Sequence, residues 1–369
     1  MFRIDVLPAQ RGDCLWISYG SEKSPHHVLV DAGPQETIPT LVPELERRIA
    51  RLRDAGERVE LLVVSHIDAD HIQGVVSLLS VPSRVDHFGD IWFNGWKHHQ
   101  PWTEQFLGGP DAERLTALLG GARWNDAFDG GPVAVPSEGP LPDPVPLPGG
   151  LEITLLGPTE GALAALAPSY KKACAKAGIT PGEGASIAKA SWRRDGTVFL
   201  GRREPRRFDP EALALSRTTS DPSKANGASI TLIAKYGDQR ILLLADAPAR
   251  ATAAALARLG AGPHEFDAVK VSHHGSRNNT SNALLGLIRS RKWLISSNGA
   301  VFGHPDLECL GRIVASQPEK PTFYLNYAAE HEKVEHLKPF LAGAGDRYGV
   351  RLPRARRDGT PGEGISVSI

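Results

Sequence analysis

The segment "HIDADH", residues 66–71, brings two histidines and two aspartates together directly after the apolar run "VELLVV". Such a run of apolar, β-branched residues is typical of a buried strand. Imidazole and carboxylate groups together suit zinc, manganese or iron. Because alternate residues of an extended segment share a face, His66, Asp68 and Asp70 are predicted to lie on one side and His71 on another. The segment can therefore serve two adjacent cations, the first through His66 and Asp68 and the second through Asp70 and His71.

Further ligands are expected at other strand ends, because one loop cannot complete two coordination shells. Asp246 ends "ILLLAD", His273 and His274 follow the strand "VKVS", and His304 follows "WLISSNG". A carboxylate at Asp246 can bridge two cations about 3.5–4 Å apart. Alone, a buried aspartate or a single histidine is usually a structural residue, and "HIDADH" alone can be an acidic helix cap. Aspartate or histidine at four separate strand ends favours a metal site.

These residue types indicate hydrolysis, because water on such a cation loses its proton near neutral pH. Asp70 is placed to orient that water, and His304 to donate a proton or contact a phosphate. The polar segment after the histidines predicts further phosphate contacts, and its residues are Ser276, Arg277, Asn278 and Asn279. A helix N-cap region is an equally good interpretation of this segment.

Strands and helices alternate along the chain, which predicts an α/β fold. Short strands fill the first 30 residues, and a helix is predicted over 40–55 from the spacing of its leucines and isoleucine. The pattern resumes after residue 226 with a hairpin around "GD", followed by further strands and helices. A single domain over residues 1–369 is therefore expected, with a variable insertion at about 83–225.

Composition narrows the classes of partner. The 369 residues carry 42 Lys and Arg against 42 Asp and Glu, so net charge gives no overall signature of nucleic-acid binding. Three scattered cysteines are too few for a thiolate zinc site. The amino terminus has no apolar core of signal-peptide length, and no apolar stretch approaches the roughly 20 residues that span a bilayer. These features predict a cytoplasmic protein with no membrane partner.

The motifs resemble the metallo-β-lactamase fold superfamily. The pattern H-x-[HD]-x-D-H after a strand, a strand-ending aspartate, "SHHGS" and "GHP" are all present. The most similar branch contains the carboxy-terminal domain of the competence protein ComEC, in which the second motif position is also often aspartate, as at Asp68. "RGDCLWI", "LVDAG" and "NGAS" resemble other parts of that pattern. The resemblance covers roughly residues 1–80 and 226–310.

The resemblance implies an αββα sandwich with a metal centre at the edge of its two sheets. It implies as metal ligands His66, Asp68, Asp70, His71, Asp246 and His273. It also implies that Asp31 orients the ligand loop and that His274, the weaker candidate of the adjacent pair, supports the ligands, with packing as its alternative role. Many family members place a further histidine where this chain has "NGAS", residues 226–229. One or two divalent ions are therefore expected, zinc first and manganese as the alternative.

Three functions remain open at this stage. The resemblance suggests a phosphodiesterase or nuclease acting on a phosphate-containing substrate, possible nucleic-acid contacts being the arginines of residues 193–207. Hydrolysis of a small ester, lactone or thioester is the second, with "IWFNGWKHHQPW", residues 91–102, as an apolar pocket or as ordinary core. The third is a degenerate metal-binding scaffold that serves as an interaction module.

Overall fold

The computed structural model describes residues 1–98, 109–182, 207–328, 335–355 and 362–369. These residues form an α/β structure with a six-stranded sheet, an eight-stranded sheet and a separate pair of short strands. Both large sheets mix parallel and antiparallel strands. None of the helices in the described residues combines the length and the apolar character that crossing a membrane requires.

The six-stranded sheet has the order β16-β1-β2-β3-β4-β5. Its strands are β1 (Phe2–Val6), β2 (Leu15–Gly20), β3 (Pro25–Val30), β4 (Val59–Val63), β5 (Phe88–Trp92) and β16 (Ile365–Ser368). Strands β3, β4 and β5 run parallel to one another, so their carboxyl ends lie at the same edge.

The eight-stranded sheet has the order β15-β14-β13-β11-β9-β8-β7-β6. Its strands are β6 (Val145–Leu147), β7 (Leu151–Gly157), β8 (Thr231–Tyr236), β9 (Gln239–Leu243), β11 (Ala268–Lys270), β13 (Lys292–Ile295), β14 (Thr322–Leu325) and β15 (Gly349–Arg351). The separate parallel pair consists of β10 (His264–Glu265) and β12 (Ile288–Arg289). Strands β9, β11 and β13 are parallel neighbours, so their carboxyl ends also share one edge.

Helices connect the strands, with short 3₁₀ turns between some of them. They are α1 (Ile38–Asp54), α2 (Ala69–Leu78), α3 (Gly109–Leu119), α4 (Glu160–Lys176), α5 (Pro210–Ala214), α6 (Lys224–Gly227), α7 (Ala249–Ala257), α8 (Asn282–Gly286), α9 (Leu307–Ser316) and α10 (Lys338–Ala342).

Both faces of the central strands are buried, which explains their continuous apolar sequences. Successive side chains of a strand point to opposite faces, so β4 divides its residues between two hydrophobic clusters. Leu61 and Val63 join a cluster that also contains Leu243 and Leu294 of the other sheet. Leu62 joins a second cluster, which contains residues of α1 and α2. A third cluster joins the eight-stranded sheet to α7, α8 and α9.

Residues 83–225, expected as a variable insertion, contribute strands to both sheets. Strand β5 pairs with β4, and β7 pairs with β8. The aromatic segment packs as core, since Ile91, Trp92 and Phe93 are 2%, 0% and 0% exposed. The arginine-rich stretch lies outside the described residues from 193 to 206, as do residues 99–102 of the aromatic segment.

Candidate metal centre

Four strand ends, two from each large sheet, bring the predicted ligands together. Asp31 directly follows β3, and the segment from His66 follows β4, whose carboxyl end lies beside that of β3. Asp246 follows β9, and His273 follows the adjacent parallel strand β11. Ligand sites in α/β proteins commonly lie at the carboxyl ends of parallel strands, because the chain leaves the sheet there.

The segment of residues 66–71 does not stay extended, and the expectation that alternation sets its faces is wrong. Asp68 is extended, but α2 begins at Ala69, so Asp70 and His71 occupy its first turn. The helix forms because Ile72 and the valines after it pack into the first hydrophobic cluster. Helical spacing rather than strand alternation therefore sets where Asp70 and His71 point.

Three histidines are held by their Nδ1 atoms. His71 Nδ1 lies 2.8 Å from Asp31 Oδ2, and His274 Nδ1 donates to the Ser296 carbonyl at 2.9 Å. His66 Nδ1 lies 3.0 Å from Ser65 Oγ, whose own hydrogen is donated to Asp31 at 2.6 Å. In the neutral ring each Nδ1 then carries the hydrogen, which leaves the lone pair on Nε2.

These Nε2 atoms converge on Asp246. The Nε2 atoms of His66, His71 and His274 and the Oδ1 atom of Asp246 are buried and have no hydrogen-bond partner within the described part of the chain. His71 Nε2 lies 3.4 Å from Asp246 Oδ1, and His274 Nε2 lies 3.6 Å from Asp246 Oδ2. These separations are too long for good hydrogen bonds. They match the spacing of about 3.4 Å between tetrahedral ligands that each lie about 2.1 Å from a zinc ion.

The buried histidines and aspartates can therefore hold a metal ion. Among the residues that the structure describes, ligand atoms within 4.8 Å of one another form four overlapping groups, which are His66–His71–Asp246, Asp70–His71–His274, Asp13–Asp246–His274 and Asp13–Asp31–His71. Imidazole nitrogen with carboxylate oxygen is the donor set expected for a catalytic zinc or manganese site.

His274 and Asp13 belong to these groups although neither was among the metal ligands that the resemblance implied. His274 Nε2 lies 3.7 Å from Asp70 Oδ2, so this ring faces the ligand atoms directly. Asp13 Oδ1 lies 3.4 Å from His274 Nδ1. The signal for Asp13 was the "RGD" turn, which the resemblance placed near the motif without giving it a function.

Asp68 and His273 lie at the more open side of the centre. Asp68 Oδ2 is 3.7 Å from His66 Nε2, and 32% of its side chain is exposed. His273 Nε2 is 3.6 Å from Asp246 Oδ2, and 26% of its side chain is exposed. Each of these side chains therefore faces a buried ligand atom from the solvent-accessible side of the centre.

The carboxylates of the centre have divergent acidities. Burial would raise the pKa of Asp70, but contact with His274 and the charge of His71 hold it at about 2. Burial also opposes ionisation of Asp246, yet its histidine neighbours hold its pKa well below the usual range. Burial and the charges of Asp70 and Asp246 raise the pKa of Asp68 to about 7. Asp70 and Asp246 are thus ionised at neutral pH.

The pKa values of the histidines in the centre also differ in the direction of their shifts. Burial, together with the charge of His71, lowers the pKa of His66 to about 3. Burial is also the largest single influence on His71 and His274, but it is outweighed by the combined effect of Asp246 and Asp31 at His71 and of Asp246 and Asp13 at His274. Their pKa values therefore lie well above 6.5. Without a cation, the Nε2 atoms of these two rings hold protons.

Several residues of the site have left-handed backbone conformations. The φ angles are +57° at Asp31, +43° at Ala245, +46° at His273 and +55° at His274. Non-glycine residues adopt this region at a cost, and such conformations concentrate at functional sites. Two in succession turn the rings of His273 and His274 toward the same oxygen of Asp246.

The predicted substrate-binding residues are largely engaged within the protein. The Arg277 guanidinium pairs with Glu308 at 3.0 Å, and Asn278 Oδ1 accepts from Thr219 at 2.6 Å. The Ser276 hydroxyl accepts a hydrogen bond from the Asn278 backbone at 3.3 Å. The interpretation of this segment as a helix N-cap region is confirmed at its end, where Ser281 caps α8.

His304 lies beside the centre. Its ring centroid is 5.5 Å from that of His273, and its Nδ1 is 3.8 Å from Asp306 Oδ2. The ring of Phe302, which is 40% exposed, is 6.1 Å from that of His304. An aromatic and an imidazole ring therefore line the approach to His273.

Comparison with protein-family models gives no match, and comparison with curated proteins gives none either.

Proposed function

We propose that this chain is a metal-dependent hydrolase that acts on phosphodiesters, nucleic acid included, with one or two divalent cations of zinc or manganese. The observation that carries the proposal is the convergence of the buried, unpartnered Nε2 atoms of His66, His71 and His274 on Asp246. Burying such polar atoms costs free energy unless something satisfies them. A cation bound there would satisfy all of them together.

We also propose that the fold is the αββα sandwich of the metallo-β-lactamase superfamily. The hydrophobic cluster shared by both sheets supports this, as do the two clusters that join each sheet to helices. The position of the site supports it too, because the ligands follow parallel strands of both sheets at their carboxyl ends.

A divalent cation at this centre supplies a water nucleophile at neutral pH and stabilises negative charge on the attacked group. The protein supplies the surrounding groups. Asp70, ionised at neutral pH, accepts a hydrogen bond from the nucleophile and orients it. His304, at the approach to the centre, donates a proton to the leaving oxygen. Asp31 and Ser65 hold His66 and His71 in position.

Two observations favour a phosphodiester over a small apolar ester. Trp92 and Phe93 are buried, so the aromatic segment does not offer them as an apolar binding surface. The approach to the centre carries the imidazole of His304, which suits an anion.

The proposal is tested by hydrolysis assays with zinc or manganese. Bis(p-nitrophenyl) phosphate and single-stranded DNA represent phosphodiesters, and p-nitrophenyl acetate represents esters. We expect hydrolysis of the first two, with a loss of at least about 100-fold in Asp70→Asn. Asp86→Asn, which changes an exposed aspartate, is the control and should retain activity.

Two outcomes would overturn the proposal. Preferential hydrolysis of the acetate ester would identify an ester, and not a phosphodiester, as the substrate. Failure to bind zinc or manganese at all, shown by elemental analysis after reloading, would refute the enzyme proposal in favour of the interaction scaffold.

A further inference from the structure

His273 is anchored by a buried polar network that no motif of the sequence indicated. Its Nδ1 lies 3.1 Å from Asn279 Oδ1 and 3.4 Å from Asp221 Oδ2. Asp221 Oδ2 accepts hydrogen bonds from the side-chain amides of Asn226 at 2.7 Å and Asn279 at 2.8 Å. Asn279 and Asn226 are 0% and 4% exposed. The network thus ties the stretch before β8 to the loop after β11.

The network fixes which nitrogen of His273 faces Asp246. Asn279 Nδ2 also donates to the Asp246 backbone carbonyl at 3.0 Å, so its amide nitrogen is committed to two oxygens. Its Oδ1 must therefore accept, and His273 Nδ1 must donate. The Nε2 lone pair is left pointing toward Asp246 Oδ2, 3.6 Å away. A histidine whose Nδ1 is bonded to an anchored oxygen and whose Nε2 faces the centre has the usual arrangement of a metal ligand.

The neighbouring histidine has its own partners. His274 Nδ1 donates to the Ser296 carbonyl, and its Nε2 faces Asp70 as well as Asp246. The rings of His273 and His274 are 5.8 Å apart and inclined at 76°. Their consecutive left-handed backbones let adjacent residues approach one carboxylate from different directions.

We infer that His273 completes one cation site with His66, Asp68 and Asp246, in place of the histidine absent from residues 226–229, and that Asp221 positions it. Asp70, His71 and His274 form the second set, with Asp246 shared. Asn226, within the substituted stretch, belongs to the network that holds His273. The inference rests on the cation binding in the proposed function and is independent of the substrate.

The test is a titration of metal-free protein with Zn²⁺ alone, followed by calorimetry, with Co²⁺ absorption as a second probe. Two equivalents are expected for the unmodified chain. Asp221→Ala should weaken one binding step by about 10–100-fold and leave the other unchanged. His273→Ala should remove that same step, and His274→Ala the other.

Matched variants separate positioning from folding. Asp267→Ala removes an exposed carboxylate that accepts the Arg240 backbone N–H at 2.8 Å, at the opposite end of β11 from His273, and should leave both steps intact. Asp221→Asn keeps the shape of the side chain and should weaken the same step as Asp221→Ala. Thermal unfolding of the chelated proteins shows whether each variant is folded.

Three results would overturn the inference. One is a single equivalent in the unmodified chain, and another is unchanged binding in folded Asp221→Ala and Asp221→Asn. The third is the loss of the same step in His273→Ala and His274→Ala. Absence of phosphodiester hydrolysis would refute the proposed function without changing this titration, so the two failures are distinguishable.

Discussion

Lys270 Nζ lies 2.5 Å from Asp13 Oδ2, and both side chains are buried. Asp13 lies between β1 and β2 of the six-stranded sheet, whereas Lys270 ends β11 of the eight-stranded sheet. The pair therefore joins the two sheets, and the other oxygen of Asp13 faces His274 at 3.4 Å. An ion pair removed from water in this way depends on both members being present.

We predict that Lys270→Met lowers the free energy of unfolding of the metal-free protein by about 3–5 kcal/mol, because the buried Asp13 carboxylate loses the ammonium group in contact with it and retains only the more distant His274. Urea denaturation measures the change. The double variant Lys270→Met with Asp13→Leu should recover most of the loss. Lys235→Met, which breaks an exposed pair with Glu152, is the control and should cost about 1 kcal/mol or less. Equal stability of Lys270→Met and the unmodified chain would contradict the prediction.

A second prediction concerns Asp31. Its carboxylate accepts hydrogen bonds from the backbone N–H of Ser65 at 2.7 Å and from the Ser65 hydroxyl at 2.6 Å, and it lies 2.8 Å from His71 Nδ1. Asparagine has the same shape and tolerates the left-handed backbone at this position. Asp31→Asn should therefore fold, yet lose about 10–100-fold in zinc affinity because His71 loses its anionic partner. Calorimetric titration measures the affinity, and an unchanged value would show that Asp31 does not act through His71.

A third prediction concerns Gly12, whose backbone passes directly against Asp70. A β-carbon on Gly12 would overlap the carbonyl oxygen of Asp70, whereas one on Gly121 would meet open space. We expect Gly12→Ala to displace the first turn of α2 and so to weaken zinc binding by at least about 10-fold. Gly121→Ala should bind zinc normally. Equal zinc affinities in the two variants would show that the α2 turn adapts without moving its ligands.

Binding of the cation should release protons at neutral pH. The raised pKa values of His71 and His274 mean that both rings are protonated at pH 7 in the metal-free protein. Zinc must displace those protons, so its apparent affinity should rise as the pH increases above 6.5 and fall as the pH decreases. His66, with its pKa of about 3, should release none. Calorimetry at pH 7 in buffers of different ionisation enthalpy counts the protons, and heats that do not depend on the buffer would refute the prediction.

The ligands at the strand ends could be anticipated from the sequence because each follows an apolar run that has to be a buried strand. His66, His71 and Asp246 were expected near one another on that ground, and they form one group in the structure. The same reasoning went wrong within the loop, because it extended strand alternation into Asp70, where α2 has already begun. The apolar residues after His71 make this segment helical, because they pack into the first hydrophobic cluster. That packing depends on the folded sheet and cannot be read from the local sequence.

The residues that hold the ligands could not be found in this way. Asp221 and Asn279 come from segments far apart in the chain, and only the tertiary fold makes them neighbours. Lys270 did leave a signal, since a charge within the apolar run "AVKVS" requires a buried partner. The sequence does not show which of the many carboxylates is that partner. Pairing of buried polar groups is a property of the folded chain.

The division of the ligands between the sheets has a mechanical consequence. His71 follows the six-stranded sheet and Asp246 the eight-stranded sheet, so a cation held by both is a cross-link that closes a long loop of the chain. Such closure restricts the unfolded ensemble and makes separation of the two halves costly. The loaded protein should therefore resist separation of the two sheets more strongly than the cation-free protein, in which the shared hydrophobic cluster and the Lys270–Asp13 pair still join them.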